Sequence, residues 1–108
     1  MSHRVVFTPE ALDQLAALYQ YIAAAASPAI ALRYTDAIVS YCESLSSFPH
    51  RGTVRDDLRM GLRVTHYKKR AVIAFAVEAD WVYIIGVFYG GQDHESHLSN
   101  DADDVTEQ

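Results

Sequence analysis

Two helix start signals, each followed by an apolar stripe, constrain the fold of this chain most. Thr8-Pro9 and Ser27-Pro28 each place an N-capping side chain before a proline, which suits the first helical turn because its missing N–H costs no hydrogen bond there. The sequence predicts a helical hairpin. Its first helix runs from Pro9 to about Ala25, and its second begins at Pro28 and ends before Pro49 and Gly52. Apolar residues recur at spacings of three and four in both segments, at Leu12, Leu15, Leu18, Tyr19 and Ile22, and at Ile30, Tyr34, Ala37, Ile38, Tyr41, Cys42 and Leu45.

Strand-like segments flank this hairpin. Residues 3–7 (HRVVF) precede it, and residues 62–67, 70–78 and 81–89 follow a loop at 49–61. Short turns separate the last three segments, which favours an antiparallel meander, and neither helix can bury its stripe without a sheet against it. The sequence predicts an α+β fold of order β-α-α-β-β-β, in one domain over residues 1–98. An acidic tail, residues 99–108, is expected to be disordered.

Composition narrows the class of protein. Half of the residues are hydrophobic, no apolar stretch approaches the roughly twenty residues of a membrane span, and no signal peptide is visible. Cys42 is the single cysteine, which excludes an intrachain disulfide framework, and its apolar neighbours predict a core residue. We expect a soluble cytoplasmic protein.

Positive charge is concentrated in the middle of the chain, although the net charge is −5. Seven of the nine Lys and Arg residues lie between Arg51 and Arg70, where the only acids are Asp56 and Asp57, a local net charge of +5. This stretch, with Arg63 and Tyr67 on one face of a strand, has two open interpretations: a phosphate-holding, base-stacking surface or a solvated turn that protects a sheet edge. The candidate target or polyanion contacts are Arg59, Arg63, Tyr67, Lys68, Lys69, Arg70 and Tyr89.

No residue pattern predicts catalysis, a metal site or a cofactor. The pleat places His66 on the side of Leu62 and Val64, so we expect a buried histidine rather than a general base. The segment QDHESHL, residues 92–98, is expected to form one short helix. In it His94 and His97 have the i, i+3 spacing of metal ligands, but a solvated terminal helix produces that spacing easily.

Four segments, in order, carry a resemblance to a known family. They are "FTPEALDQLAALYQYIAAAASPAIALRY", "LSSFPHRG", "GLRVTHYKKRAVIAFAV" and "VYIIGVFYGGQD". Together they resemble the RelE/ParE superfamily of type II toxin–antitoxin toxins, on its ParE side, over about residues 3–98. The resemblance implies the β-α-α-β-β-β fold that the residue patterns also predict.

The resemblance implies two different activities. RelE-like members are ribosome-dependent mRNA endonucleases that use a basic residue after the last strand and a Tyr shortly beyond it. Arg63 matches a basic position of that branch, but this chain continues as Gly90-Gly91-Gln92 and has Ser96 or His97 further on. ParE-like members poison DNA gyrase by binding, and the "FYGGQD" ending resembles that branch. The expectation is a non-enzymatic gyrase poison; the alternatives are an mRNA endonuclease or a non-toxic member kept in its antitoxin complex.

The resemblance also implies a partner. Toxins of this type are neutralised by a ParD-like antitoxin, whose C-terminal segment wraps the toxin with a helix laid in an apolar groove and with extended contacts. The candidate antitoxin-binding residues lie on the helical hairpin, at Leu15, Leu18, Tyr19, Ile22 and Tyr34. We expect a hetero-oligomeric complex that reaches DNA only through the antitoxin, and no membrane partner.

Overall fold

The computed structural model describes residues 3–90 and Leu98. The elements in chain order are β1 (Arg4–Phe7), α1 (Pro9–Ala25), α2 (Pro28–Glu43), a 3₁₀ turn (Ser44–Ser46), β2 (Thr53–Val54), β3 (Leu62–Tyr67), β4 (Ala71–Glu78) and β5 (Trp81–Tyr89). None of the helices in this part of the chain is long and apolar enough to cross a membrane. The predicted order of elements is confirmed, and β2 is an addition to it.

Capping explains where both helices begin. Thr8 Oγ1 accepts a hydrogen bond from the Ala11 amide at 3.2 Å, and Ser27 Oγ accepts one from the Ile30 amide at 3.1 Å. Each cap satisfies an amide that the first helical turn leaves without a partner, and each is followed by proline. Both start signals in the sequence are therefore confirmed.

The five strands form one mixed sheet of order β1-β5-β4-β3-β2. β3, β4 and β5 make the predicted antiparallel meander, while β1 pairs in parallel with β5, with Arg4 opposite Trp81 and Phe7 opposite Ile84. The loop predicted at 49–61 contains β2, whose Thr53 and Val54 pair with Val64 and Arg63. The strand predicted from residue 70 begins at Ala71, which leaves Arg70 in the turn.

The main core lies between the helical hairpin and one face of the sheet, called here the helix face. α1 contributes Ala11, Leu15, Leu18 and Ile22, and the sheet contributes buried side chains that include Phe75. Leu12 and Ile30, predicted on the apolar stripes, are instead 52% and 43% exposed. On α1 the inward stripe passes through the small Ala11, so the larger neighbour Leu12 points outward.

The opposite face of the sheet, called here the second face, has its own smaller core. Leu62, Val64, Ala74 and Phe88 are buried there together with Leu98. Leu98 brings a residue beyond β5 onto the sheet, but the short helix predicted over residues 92–98 lies, apart from Leu98, outside the described residues, as does the whole acidic tail. The central strands β4 and β5 thus have buried residues on both faces, as their apolar runs predict.

A register shift between Ala74 and Phe75 interrupts the pairing of β4 with β5, where Gly86 lies opposite Ala74 and Ile84 opposite Phe75. A β-carbon at Gly86 would lie 2.7 Å from the Phe88 ring and 3.3 Å from Gln14 Oε1. Next to this shift, the Val87 amide donates a hydrogen bond to Gln14 Oε1 at 2.7 Å. A bulge of this kind reorients the strand, and here it fixes the end of β5 against α1.

Candidate partner-binding site

The basic candidates lie in three different environments. Lys68, Lys69 and Arg70 form the exposed turn between β3 and β4. Lys68 has a φ of 56°, an uncommon conformation for a residue with a β-carbon, and its Nζ lies 5.7 Å from the centroid of the Tyr67 ring. The Arg70 carbonyl accepts a hydrogen bond from the Gly90 amide at 2.9 Å, which fixes the turn to the end of β5.

The Arg63 side chain donates hydrogen bonds to main-chain carbonyls. Its Nε donates to the Arg51 carbonyl at 3.2 Å, and its Nη2 donates to the His50 carbonyl. The Arg51 guanidinium lies 5.5 Å from the ring centroid of Tyr41 and 5.1 Å from that of Phe48. Arg63 therefore holds the loop after α2 against the start of β3.

Arg59 is half-buried near the second face. Its Nη2 lies 3.5 Å from the Leu98 carbonyl oxygen, to which it donates. The three groups of basic residues consequently do not converge on one surface, as the grouping in the sequence had suggested. Among the candidate basic residues, Lys68, Lys69 and Arg70 are exposed, whereas Arg59 and Arg63 are half-buried.

Five tyrosines form a continuous line of ring contacts, called here the tyrosine chain. Neighbouring ring centroids are 5.3 to 6.3 Å apart, within the range of favourable edge-to-face and tilted contacts. The line joins both helices to β3 and β5, and the Tyr41 hydroxyl also shares a 3.0 Å hydrogen bond with Thr65 Oγ1. Its members, in order of contact, are Tyr41, Tyr67, Tyr34, Tyr89 and Tyr21.

A cleft of about 540 Å³ opens where the tyrosine chain reaches α1, and it is called here the Arg70 cleft. Ala17 and Gly90 are among the described residues that line it. Sequence patterns missed Gln14 and Tyr21, because neither follows the apolar stripe of α1; the only signal was an aromatic residue off that stripe. The other lining residues are Gln14, Leu18, Tyr21, Arg70, Val87 and Tyr89.

The electrostatics of this region place Arg70 beside the tyrosine chain. Burial raises the pKa of Tyr34 above its ordinary value, and Tyr89 and Tyr67 raise it further. The Arg70 guanidinium acts on the same hydroxyl in the opposite direction and lowers the pKa. Arg70 is thus within electrostatic reach of Tyr34.

The candidate antitoxin contacts are mostly core residues. Leu15, Leu18 and Ile22 are at most 9% exposed and pack on the sheet, so they do not form the open groove that the sequence predicted. Tyr19 and Tyr34 are half-buried beside them, and a role for these two in antitoxin binding stays a prediction. The exposed apolar side chains of the hairpin are Leu12, Tyr21, Ile30 and Leu32.

His66 is exposed, which corrects the expectation of a buried histidine. Its side chain lies outside the second-face core that contains Leu62 and Val64. Cys42 is fully buried as predicted, and burial raises the pKa of its thiol to about 12, with a smaller contribution from Glu43. Within residues 3–90 and Leu98, no group of three His, Cys, Asp or Glu side chains is placed to hold a metal ion, and His94 and His97 lie outside this part.

The fold is similar to that of a solved structure described as the chromosomal ParDE toxin–antitoxin system from P. aeruginosa. The TM-score is 0.73 at 20% identity, over 82% of this chain and 97% of that chain. No curated protein matches the sequence. A family model for the ParE toxin of the type II toxin–antitoxin system parDE matches residues 5–94.

These matches define the class of the protein as a toxin of a type II toxin–antitoxin system. The family match spans most of the chain, and the chain belongs to the ParE toxin family. The resemblance seen in the sequence and the fold that it implied are both confirmed.

Proposed function

We propose that this chain is a cytoplasmic growth inhibitor that binds and poisons DNA gyrase and is neutralised by a cognate ParD-like antitoxin. The observation that carries the proposal is the match of residues 5–94 to the ParE toxin family. Inhibition by binding needs a surface and no catalytic group, which agrees with a chain whose exposed Arg70 lines an aromatic cleft.

The geometry of β3 favours binding over RNA cleavage. Metal-independent cleavage needs a base, an acid and a cation close to one phosphate. Arg63 and Tyr67 are directed to the helix face, where Arg63 binds loop carbonyls and Tyr67 packs against Tyr34 and Tyr41. His66, two residues from Val64, is directed to the second face. These groups therefore do not assemble around one phosphate.

The proposed antitoxin partner is supported by the similar structure, which is described as a ParDE system. Exposed apolar side chains on the hairpin give such a partner surface to cover, since Leu12 and Leu32 are each more than half exposed. We expect Tyr19 and Tyr34 to border that interface. The complex would contact DNA through the antitoxin.

Expression in bacteria tests the proposal. The chain is induced alone and together with the neighbouring gene, and growth, plasmid supercoiling and the integrity of translated mRNA are followed. We expect arrest with altered supercoiling and intact mRNA, and rescue by the neighbouring gene. Arrest with cut mRNA would support the endonuclease, and normal growth with a stable complex would support a non-toxic member.

A further inference from the structure

Arg70 presents an exposed cation. Among residues 3–90 and Leu98 no carboxylate forms an ion pair with it, whereas Arg55 pairs with Asp57. Its main chain is fixed because its carbonyl accepts from the Gly90 amide and the next residue, Ala71, is paired with Tyr89. The guanidinium therefore projects from a fixed backbone at the rim of a cleft.

Apart from Gln14, the other described residues of the cleft are apolar or aromatic. Leu18 and Val87 are at most 6% exposed and form its floor, and the rings of Tyr21 and Tyr89, 6.3 Å apart between centroids, form a wall. Gln14 already uses its Oε1 to accept from the Val87 amide. Among the described residues, no Asp or Glu lines the cleft. A ligand that fills it meets one cation and one amide side chain above apolar surface.

We propose that the Arg70 cleft binds a segment of a partner polypeptide that presents one carboxylate beside an apolar side chain. The guanidinium of arginine pairs well with a carboxylate, and arginine and tyrosine are the residues enriched in the centres of protein interfaces. Lys68 and Lys69 lie beside the site and add attraction for an acidic segment. A nucleic-acid strand fits less well, because one cation over apolar side chains does not match successive phosphates.

The site goes beyond the proposed function, which names a target and an antitoxin but no pocket. Under that function, either protein is a natural source of such a segment. Binding of synthetic peptides needs neither protein. The peptides can therefore fail to bind while the chain still inhibits gyrase, and they can bind even if the chain does not inhibit gyrase.

The probe is a pool of N-acetylated, C-amidated heptapeptides with a central Glu flanked by Leu and Phe. The matched control pool carries Gln in place of Glu. Both are titrated into ¹⁵N-labelled wild-type protein and into the Arg70→Gln and Lys69→Gln variants. We expect the Glu pool to shift the amide signals of Ala17, Tyr21 and Gly90, and to bind about tenfold more tightly than the Gln pool. Arg70→Gln should abolish this preference, and Lys69→Gln should keep it.

Three results would overturn the inference: equal binding of the two pools to wild type, shifts that lie away from the cleft, or a preference for Glu that survives in Arg70→Gln. Inorganic phosphate supplies a further check. If it displaces the Glu pool at concentrations comparable to those of the peptide, the site is a phosphate site and the assignment to a polypeptide is wrong. The spectrum of each variant shows that it is folded.

Discussion

Arg63, near the start of β3, and Arg70, in the turn after it, have opposite roles, although both belong to the same basic stretch of sequence. Arg63 donates to two main-chain carbonyls and holds a loop in place. Arg70 is exposed beside an aromatic cleft, and no carboxylate forms an ion pair with it in the part of the chain that the structure describes. A cluster of basic residues in a sequence therefore does not show which cations can bind a partner. That depends on which carbonyls and carboxylates the fold brings near each of them.

The largest expected effect tests whether the cleft has a rigid floor. Leu18→Ala should lower the free energy of unfolding by about 2–4 kcal/mol, because it removes a buried side chain shared by the core and the cleft. Leu12→Ala, on the same helix but 52% exposed, is the matched control and should change stability by no more than about 0.5 kcal/mol. Urea denaturation measures both. Equal losses would mean that α1 does not pack as described.

A smaller effect separates the two arginines directly. Arg63→Gln should lower the free energy of unfolding by about 1 kcal/mol, since two carbonyls lose a charged hydrogen-bond donor. Arg70→Gln should change the free energy of unfolding by no more than about 0.5 kcal/mol, because the side chain that it replaces is exposed at a turn. The same denaturation series gives both values. A larger loss at Arg70 than at Arg63 would reverse the comparison between them.

The smallest effect concerns the pKa of Tyr34. Arg70 lowers that pKa, so Arg70→Gln should raise it further, while Arg63→Gln should leave it unchanged. Ring carbon shifts of Tyr34 followed through a pH titration measure the change. An unchanged pKa in Arg70→Gln would mean that the guanidinium is directed away from the tyrosine chain.

Much of the fold was predictable because local signals agreed with it. Thr8-Pro9 and Ser27-Pro28 marked both helix starts, and the predicted bounds of β3 and β5 match the structure. β2 was missed because two residues, Thr53 and Val54, are too short to show alternation. The exposure of Leu12 was missed because the small Ala11, rather than the larger leucine, continues the inward stripe.

The site was less predictable because its parts come together only through tertiary contacts. Tyr89 and Arg70 were among the candidates, but their partners Gln14 and Tyr21 lie more than 45 residues earlier and follow no apolar period. The carbonyls that engage Arg63 belong to an irregular loop, and no side-chain pattern reveals where such carbonyls point. His66 is exposed because it lies outside the second-face core, which the tertiary packing of Leu62, Val64 and Leu98 forms.

We propose that this ParE-family chain inhibits growth by binding gyrase and not by cutting RNA. A single experiment tests this: the purified chain is incubated with gyrase, ATP and relaxed plasmid, with and without the antitoxin, beside a translation reaction probed for mRNA cuts. We expect loss of supercoiling with trapped gyrase–DNA cleavage complexes, reversal by the antitoxin, and intact mRNA. Unaffected gyrase together with ribosome-dependent mRNA cuts would show that the proposal is wrong.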